Sequence, residues 1–136
     1  MATILVQVVK DYILIVDDEI PITKLLKRLL VDEGEIHVAY NGEEGISRIN
    51  DVDFDLIISD IDMPIKNGLS FYSEAIQKKP YLKGRFLFMT GTLDHGRLEY
   101  FNKHGIEHLI KPSTLTDIRI AAKRILLLTK TTKEQG

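Results

Sequence analysis

The sequence predicts an α/β fold: a doubly wound five-stranded parallel sheet with helices on both faces. Three observations carry this. Five short apolar runs are spaced along the chain, stretches with helical spacing lie between them, and 136 residues suffice for one real core but not for two domains of ordinary size.

The runs are Ile13-Leu14-Ile15-Val16, Ile36-His37-Val38-Ala39, Leu56-Ile57-Ile58, Phe86-Leu87-Phe88-Met89 and His108-Leu109-Ile110. Their β-branched and aromatic content, with little alternation, predicts strands buried on both faces. After the first, Ile22, Leu25, Leu26, Leu29 and Leu30 recur at intervals of three and four and predict a helix with all five on one face. Pro21 suits its first turn, Asp18 or Glu19 can satisfy its free backbone donors, and Gly34 is the expected stop. Asn41-Gly42 opens a second helix ending near Asn50. A third spans 68–79 before Pro80, a weaker fourth spans 92–104 before Gly105, and the last spans 114–129 with Ile118, Ala121, Ala122, Ile125 and Leu126 inward. Residues 1–10 form an apolar extension suited to an edge strand or an interface, and residues 130–136 read as a polar, frayed tail.

Composition narrows the function classes. Eighteen Lys and Arg against twenty Asp and Glu give a net charge of −2, so no global field draws the chain to nucleic acid or an anionic membrane. The absence of cysteine excludes disulfides, thiolate metal sites and cysteine nucleophiles. No apolar run is long enough to span a bilayer and no leader pattern opens the chain, which points to a cytoplasmic protein.

In an open parallel sheet the ligand site lies at the carboxyl ends of the strands. There stand Asp17-Asp18-Glu19 after the first strand, Asp60 and Asp62 after the third, Thr90 after the fourth and Lys111-Pro112 after the fifth. Carboxylates of Asp17, Asp18 and Asp60 brought within ~5 Å would repel by about 3 kcal/mol per pair at an effective dielectric of 20. A hard divalent cation relieves this, and Mg²⁺ fits because it needs few protein ligands and leaves room for phosphate oxygens. A carboxylate nucleophile, a metal, an ammonium and a hydroxyl can accept a phosphoryl group, and no general base for hydrolysis stands out.

Val16-Asp17-Asp18-Glu19, Asp60-Ile61-Asp62-Met63-Pro64-Ile65-Lys66-Asn67-Gly68, Met89-Thr90-Gly91 and Ile110-Lys111-Pro112, in this order, resemble the motifs of the response regulator receiver domain of two-component signalling. The resemblance runs over about 11–129 and implies the flavodoxin-like strand order 2-1-3-4-5. It also implies that Asp60 is the phosphoacceptor, taking its phosphoryl group from a phosphohistidine on a sensor histidine kinase or histidine phosphotransfer domain. By the same resemblance, Asp18 and Asp60 bind Mg²⁺ by their side chains, Asp62 by its backbone carbonyl and Asp17 through water. Lys111 pairs with the phosphoryl oxygens or with Asp60, and Thr90 moves to the phosphoryl group. Asp62 and Thr92 occupy the positions that tune phosphoryl lifetime, and the Lys111-Pro112 bond is expected cis. The chain would then be a switch that catalyses only its own phosphorylation and dephosphorylation.

One departure is His108, where the family places Tyr or Phe at the switch position. An imidazole can change charge near neutral pH, which predicts a weaker or pH-sensitive link to the output face. Lys24, Lys27 and Arg28 form a solvated helix face that in receivers borders the partner's docking surface. Ile120, Leu127 and Leu128 lie off the last helix's main stripe, as extra core or as part of a homodimer or output face built from the fourth helix, fifth strand and fifth helix.

Three rivals stand beside this reading. Residues 56–62 also resemble the first motif of haloacid dehalogenase-like phosphatases, but those place an acidic metal pair after the lysine, where only Asp117 and Glu134 occur. A flavin-binding module would need a Ser/Thr/Gly-rich first loop, and Asp17-Asp18-Glu19 would repel its phosphate. A receiver-like module could also act purely as an interaction surface, without phosphate.

Overall fold

The computed structural model describes the backbone of residues 10–135, with side chains through Thr129. The expectation for residues 1–10 falls almost wholly outside this range. Five strands, β1 (Tyr12–Val16), β2 (Glu35–Ala39), β3 (Leu56–Asp60), β4 (Phe86–Thr90) and β5 (Glu107–Ile110), form one parallel sheet in the order β2-β1-β3-β4-β5. Helices α1 (Ile20–Leu29), α2 (Gly42–Asp51), α3 (Gly68–Lys78), α4 (His95–His104) and α5 (Leu115–Gln135) follow the strands in turn.

Alternation along the strands divides the core into two layers. Leu14, Val16, Ile57, Phe86 and Phe88 pack with Ile46 and Ile49 of α2, Phe71, Tyr72 and Ala75 of α3 and Phe101 of α4. Ile13, Ile15, Leu56, Ile58, Leu87 and Met89 pack with Leu26 and Leu30 near α1 and with Ile118, Ala121, Ala122, Ile125 and Leu126 of α5. Each fully buried large side chain contributes about 1.5–3 kcal/mol. The central strands β3 and β4 are buried at every position, as their unbroken apolar runs require. In α4 only Phe101 is buried, so this helix is the most lightly anchored of the four whose side chains are fully described.

Several boundaries differ from expectation, each with a local cause. Neither Asp18 nor Glu19 caps α1 by its side chain; the Glu19 N–H instead donates to Asp17 Oδ1 at 2.9 Å. That helix ends at Leu29, well before Gly34, and Leu25 at its margin is 44% exposed while Leu26 and Leu30 carry the contact. Helix α4 begins at His95 rather than Thr92, because Asp94 is the residue whose carboxylate accepts the Arg97 N–H at 2.8 Å. Gly105, at φ +62°, closes α4 in the left-handed region. Helix α5 continues to Gln135 instead of stopping near Thr129, since residues 130–135 contain neither Gly nor Pro to end it.

Gly68 fixes the end of β3. A Cβ there would lie 2.3 Å from the Asp60 carbonyl oxygen and 2.8 Å from Ile61 Cα, and the Gly68 N–H donates to the Ile61 carbonyl at 2.7 Å. The first residue of α3 therefore clamps the backbone that carries Asp60.

Candidate functional site

Each chemistry-bearing residue stands at or just after the carboxyl end of a strand. Asp17 follows β1, Asp60 and Thr90 are the last residues of β3 and β4, and Lys111 follows β5. Because β1, β3, β4 and β5 are consecutive neighbours in the sheet, the four side chains share one edge.

Carboxylate oxygens of Asp17, Asp18 and Asp60 all lie within 4.8 Å of one another. Asp17 and Asp60 are buried and Asp18 is exposed. Burial pushes the Asp17 carboxyl up to about 6; the Asp60 and Asp18 charges add to this, while the Glu19 N–H and Lys111 oppose it. Asp60 is also raised, chiefly by burial, against the pull of Lys111 and the Ile61 N–H. Two reluctant carboxylates beside a third, all offering oxygen, match what a hard cation needs. Lys111 Nζ lies 3.3 Å from Asp60 Oδ1 and 4.0 Å from Asp17 Oδ2. The Ile61 N–H donates to the same Asp60 Oδ1 at 2.8 Å. The Lys111-Pro112 bond is cis, and the Lys111 N–H donates to the Thr90 carbonyl at 2.8 Å.

Thr90 is fully buried and its hydroxyl donates to the Thr92 carbonyl at 2.6 Å. His108, half-buried on β5, stacks on Phe101 with ring centroids 4.5 Å apart and an interplanar angle of 18°. Asp62 is exposed, and its side chain is held outside the acidic cluster by Arg97.

A profile of the response regulator receiver domain family matches residues 13–123. The chain belongs to this family. It is similar to the chemotaxis protein CheY4 of Vibrio cholerae, at 26% identity and a TM-score of 0.78, covering 87% of this chain and all of that one. It is also similar to a response regulator receiver domain protein from Clostridium thermocellum, at 28% identity and a TM-score of 0.79, covering 90% and 98%. Among curated proteins, it is 29% identical over 102 residues to the probable transcriptional regulator ycf29 of Pyropia yezoensis. It is 33% identical over 132 residues to hybrid signal transduction histidine kinase G of Dictyostelium discoideum. These alignments cover 74% and 82% of this chain but only 46% and 4% of those proteins, so the receiver matches one part of larger molecules.

A receiver domain is a signalling switch, and one with this fold fits interaction with histidine kinases. No described helix is long and apolar enough to cross a membrane. The phosphatase alternative is not favoured, because the carboxylates that join Asp60 come from the end of β1 rather than from beyond Lys111.

Arg97 is the residue of this site that the sequence reading missed. Its guanidinium reaches Asp62, Thr92 and Thr90 from the first turn of α4. The available signal was a cation near a helix N-terminus, where the helix dipole favours an anion.

Proposed function

We propose that this receiver takes a phosphoryl group from a phosphohistidine onto Asp60 and is shifted by it to a second state of its output face. The observation that carries this is the Asp60 carboxylate, buried between Asp17 and Lys111 with both its amide and its ammonium contact on Oδ1. That leaves Oδ2 as the nucleophile. It forms a bond to phosphorus as the P–N bond of the phosphohistidine breaks, and the imidazole leaves as the neutral ring after taking a proton. The carboxylates of Asp18 and Asp60 and the Asp62 carbonyl would hold Mg²⁺, with Asp17 acting through water; bound there, the ion neutralises charge on the phosphoryl oxygens. Lys111 supplies a second positive charge on the same oxygens, and the Thr90 hydroxyl donates a hydrogen bond to one of them once it leaves the Thr92 carbonyl.

We place the donor on a sensor histidine kinase or a histidine phosphotransfer domain, and the reaction in the cytoplasm, in keeping with a cysteine-free chain. Residues 11–129 are read as the receiver unit. Exposed Leu98 of α4, Ile110 of β5, and Ile120, Leu127 and Leu128 of α5 support the α4-β5-α5 face as the output or homodimer surface.

The test is incubation with acetyl phosphate, with and without Mg²⁺, followed by intact mass on the wild type and Asp60→Asn. A Mg²⁺-dependent gain of one phosphoryl group, absent in Asp60→Asn, is expected. No gain in the wild type, with phosphate release and beryllofluoride binding also negative, would leave a phosphate-independent interaction module.

A further inference from the structure

Four hydrogen bonds from the Arg97 guanidinium run between two loops. It donates to both carboxylate oxygens of Asp62, at 3.2 and 2.5 Å, to the Thr92 carbonyl at 3.0 Å and to the Thr90 hydroxyl at 3.3 Å. Asp62 lies in the loop after β3 and Thr92 in the loop after β4, and these strands are hydrogen-bonded neighbours. One side chain from α4 thus straps together the loops at the strand end that carries Asp60. An arginine in the first turn of a helix works against the helix dipole, so its place there depends on these partners. The fork of a guanidinium matches a carboxylate bidentately, which an ammonium cannot do.

We propose that Arg97 is a positioning residue that sets the lifetime of the phosphoryl group on Asp60, by committing the Asp62 carboxylate and holding the two loops together across the approach of water. The inference rests on the phosphoacceptor reading of Asp60. Hydrolysis requires a water oxygen to bond to phosphorus in line with the Asp60 oxygen, on the opposite side. The P–O bond to Asp60 then breaks, Asp60 returns to a carboxylate, inorganic phosphate departs and the water proton passes to solvent. Asp62, two residues beyond Asp60, is an exposed carboxylate whose charge is felt at Asp60, and it lies outside the acidic cluster that Asp18 joins, which makes it the candidate to orient such a water. With both its oxygens on Arg97, its orientation is fixed and its charge is offset, so it accepts a proton from that water less readily. Removing the guanidinium releases Asp62 and unties its loop from Thr92, and both changes favour attack.

The experiment loads the wild type, Arg97→Lys, Arg97→Ala, Asp62→Ala and the Arg97→Ala/Asp62→Ala double variant with acetyl phosphate and Mg²⁺. The donor is removed by rapid desalting, and loss of the phosphoryl mass is followed with time. Arg97→Ala is expected to decay about fivefold faster than wild type, with Arg97→Lys between them. In the Asp62→Ala background, removing Arg97 should change the rate by less than about twofold, a coupling that a merely structural role would not produce. Circular dichroism and melting confirm that each variant is folded.

Decay of Arg97→Ala at or below the wild-type rate, from a wild type that does charge, overturns the strap alone. An equal acceleration with and without Asp62 overturns its route through that carboxylate. A wild type that gains no mass overturns the phosphoacceptor reading, and this inference with it.

Discussion

Lys111 places one ammonium between two buried carboxylates, 3.3 Å from Asp60 and 4.0 Å from Asp17. Removing a cation from such a cluster leaves charges that neither water nor a partner neutralises. Lys111→Met is therefore expected to cost about 1–2 kcal/mol at pH 7 in EDTA, less than for a fully buried pair because the lysine is partly solvated. The cost shrinks toward pH 5 as the carboxyls take up protons. Urea unfolding at both pH values is the measurement, and an equal loss at each would show that the ammonium acts by packing.

Asp17 gives the pH dependence a definite sign. Its folded value, pushed up to about 6 from 3.8, means that the native state holds this proton more tightly than the unfolded chain. Its ionisation thus lowers stability as pH rises from about 4 to 6, and the full penalty of about 3 kcal/mol is present above that window. Asp17→Asn keeps an oxygen for the Glu19 N–H and removes the charge. In EDTA it should be more stable than wild type by about 2 kcal/mol at pH 7.5 and nearly equal to it below pH 4. A difference that does not vary with pH would contradict this.

Gly68→Ala tests the clamp on the phosphoacceptor strand. The added Cβ would meet main-chain atoms of Asp60 and Ile61 rather than a yielding side chain. A loss of about 2–3 kcal/mol is expected, together with slower loading from acetyl phosphate because the Asp60 backbone must move. A loss under about 0.5 kcal/mol would show that the loop yields freely.

His108→Phe addresses the switch position. Phe retains an aromatic surface against Phe101 and restores the ring type that the family places at this position. The phosphorylation-linked change in the α4 amide resonances should be larger in His108→Phe than in the wild type. An identical change in the two would show that the imidazole does not weaken the link to the output face.

The strands were legible because burial on both faces leaves an unmistakable record, such as Leu56-Ile57-Ile58 and Phe86-Leu87-Phe88-Met89. The acidic cluster was legible because strand ends converge by topology, which places Asp17, Asp60 and Lys111 together once the strand order is known. Local competition was harder to read. Thr92 resembles a helix start, but its carbonyl is engaged by Thr90 and Arg97, and Asp94 caps the helix instead. Helix α5 shows the converse, since the polar composition of residues 130–135 reads as an end although nothing in it breaks a helix. The Arg97–Asp62 pair could not be read at all, because its partners are 35 residues apart and meet only when α4 settles beside the loop after β3.

The Thr90 hydroxyl has a single proton, and in this structure it is spent on the Thr92 carbonyl 2.6 Å away. Any new acceptor must win that proton from an existing one, so a change at Thr90 exchanges one hydrogen bond for another and its net drive is the difference between them. On the proposed phosphorylation of Asp60 the new acceptor is a charged oxygen, which a hydroxyl serves more strongly than a neutral carbonyl. A bias of about 1.4 kcal/mol moves two populations tenfold, so substitutions that weaken or strengthen the Thr90–Thr92 contact should tune how completely that phosphorylation is felt without abolishing it.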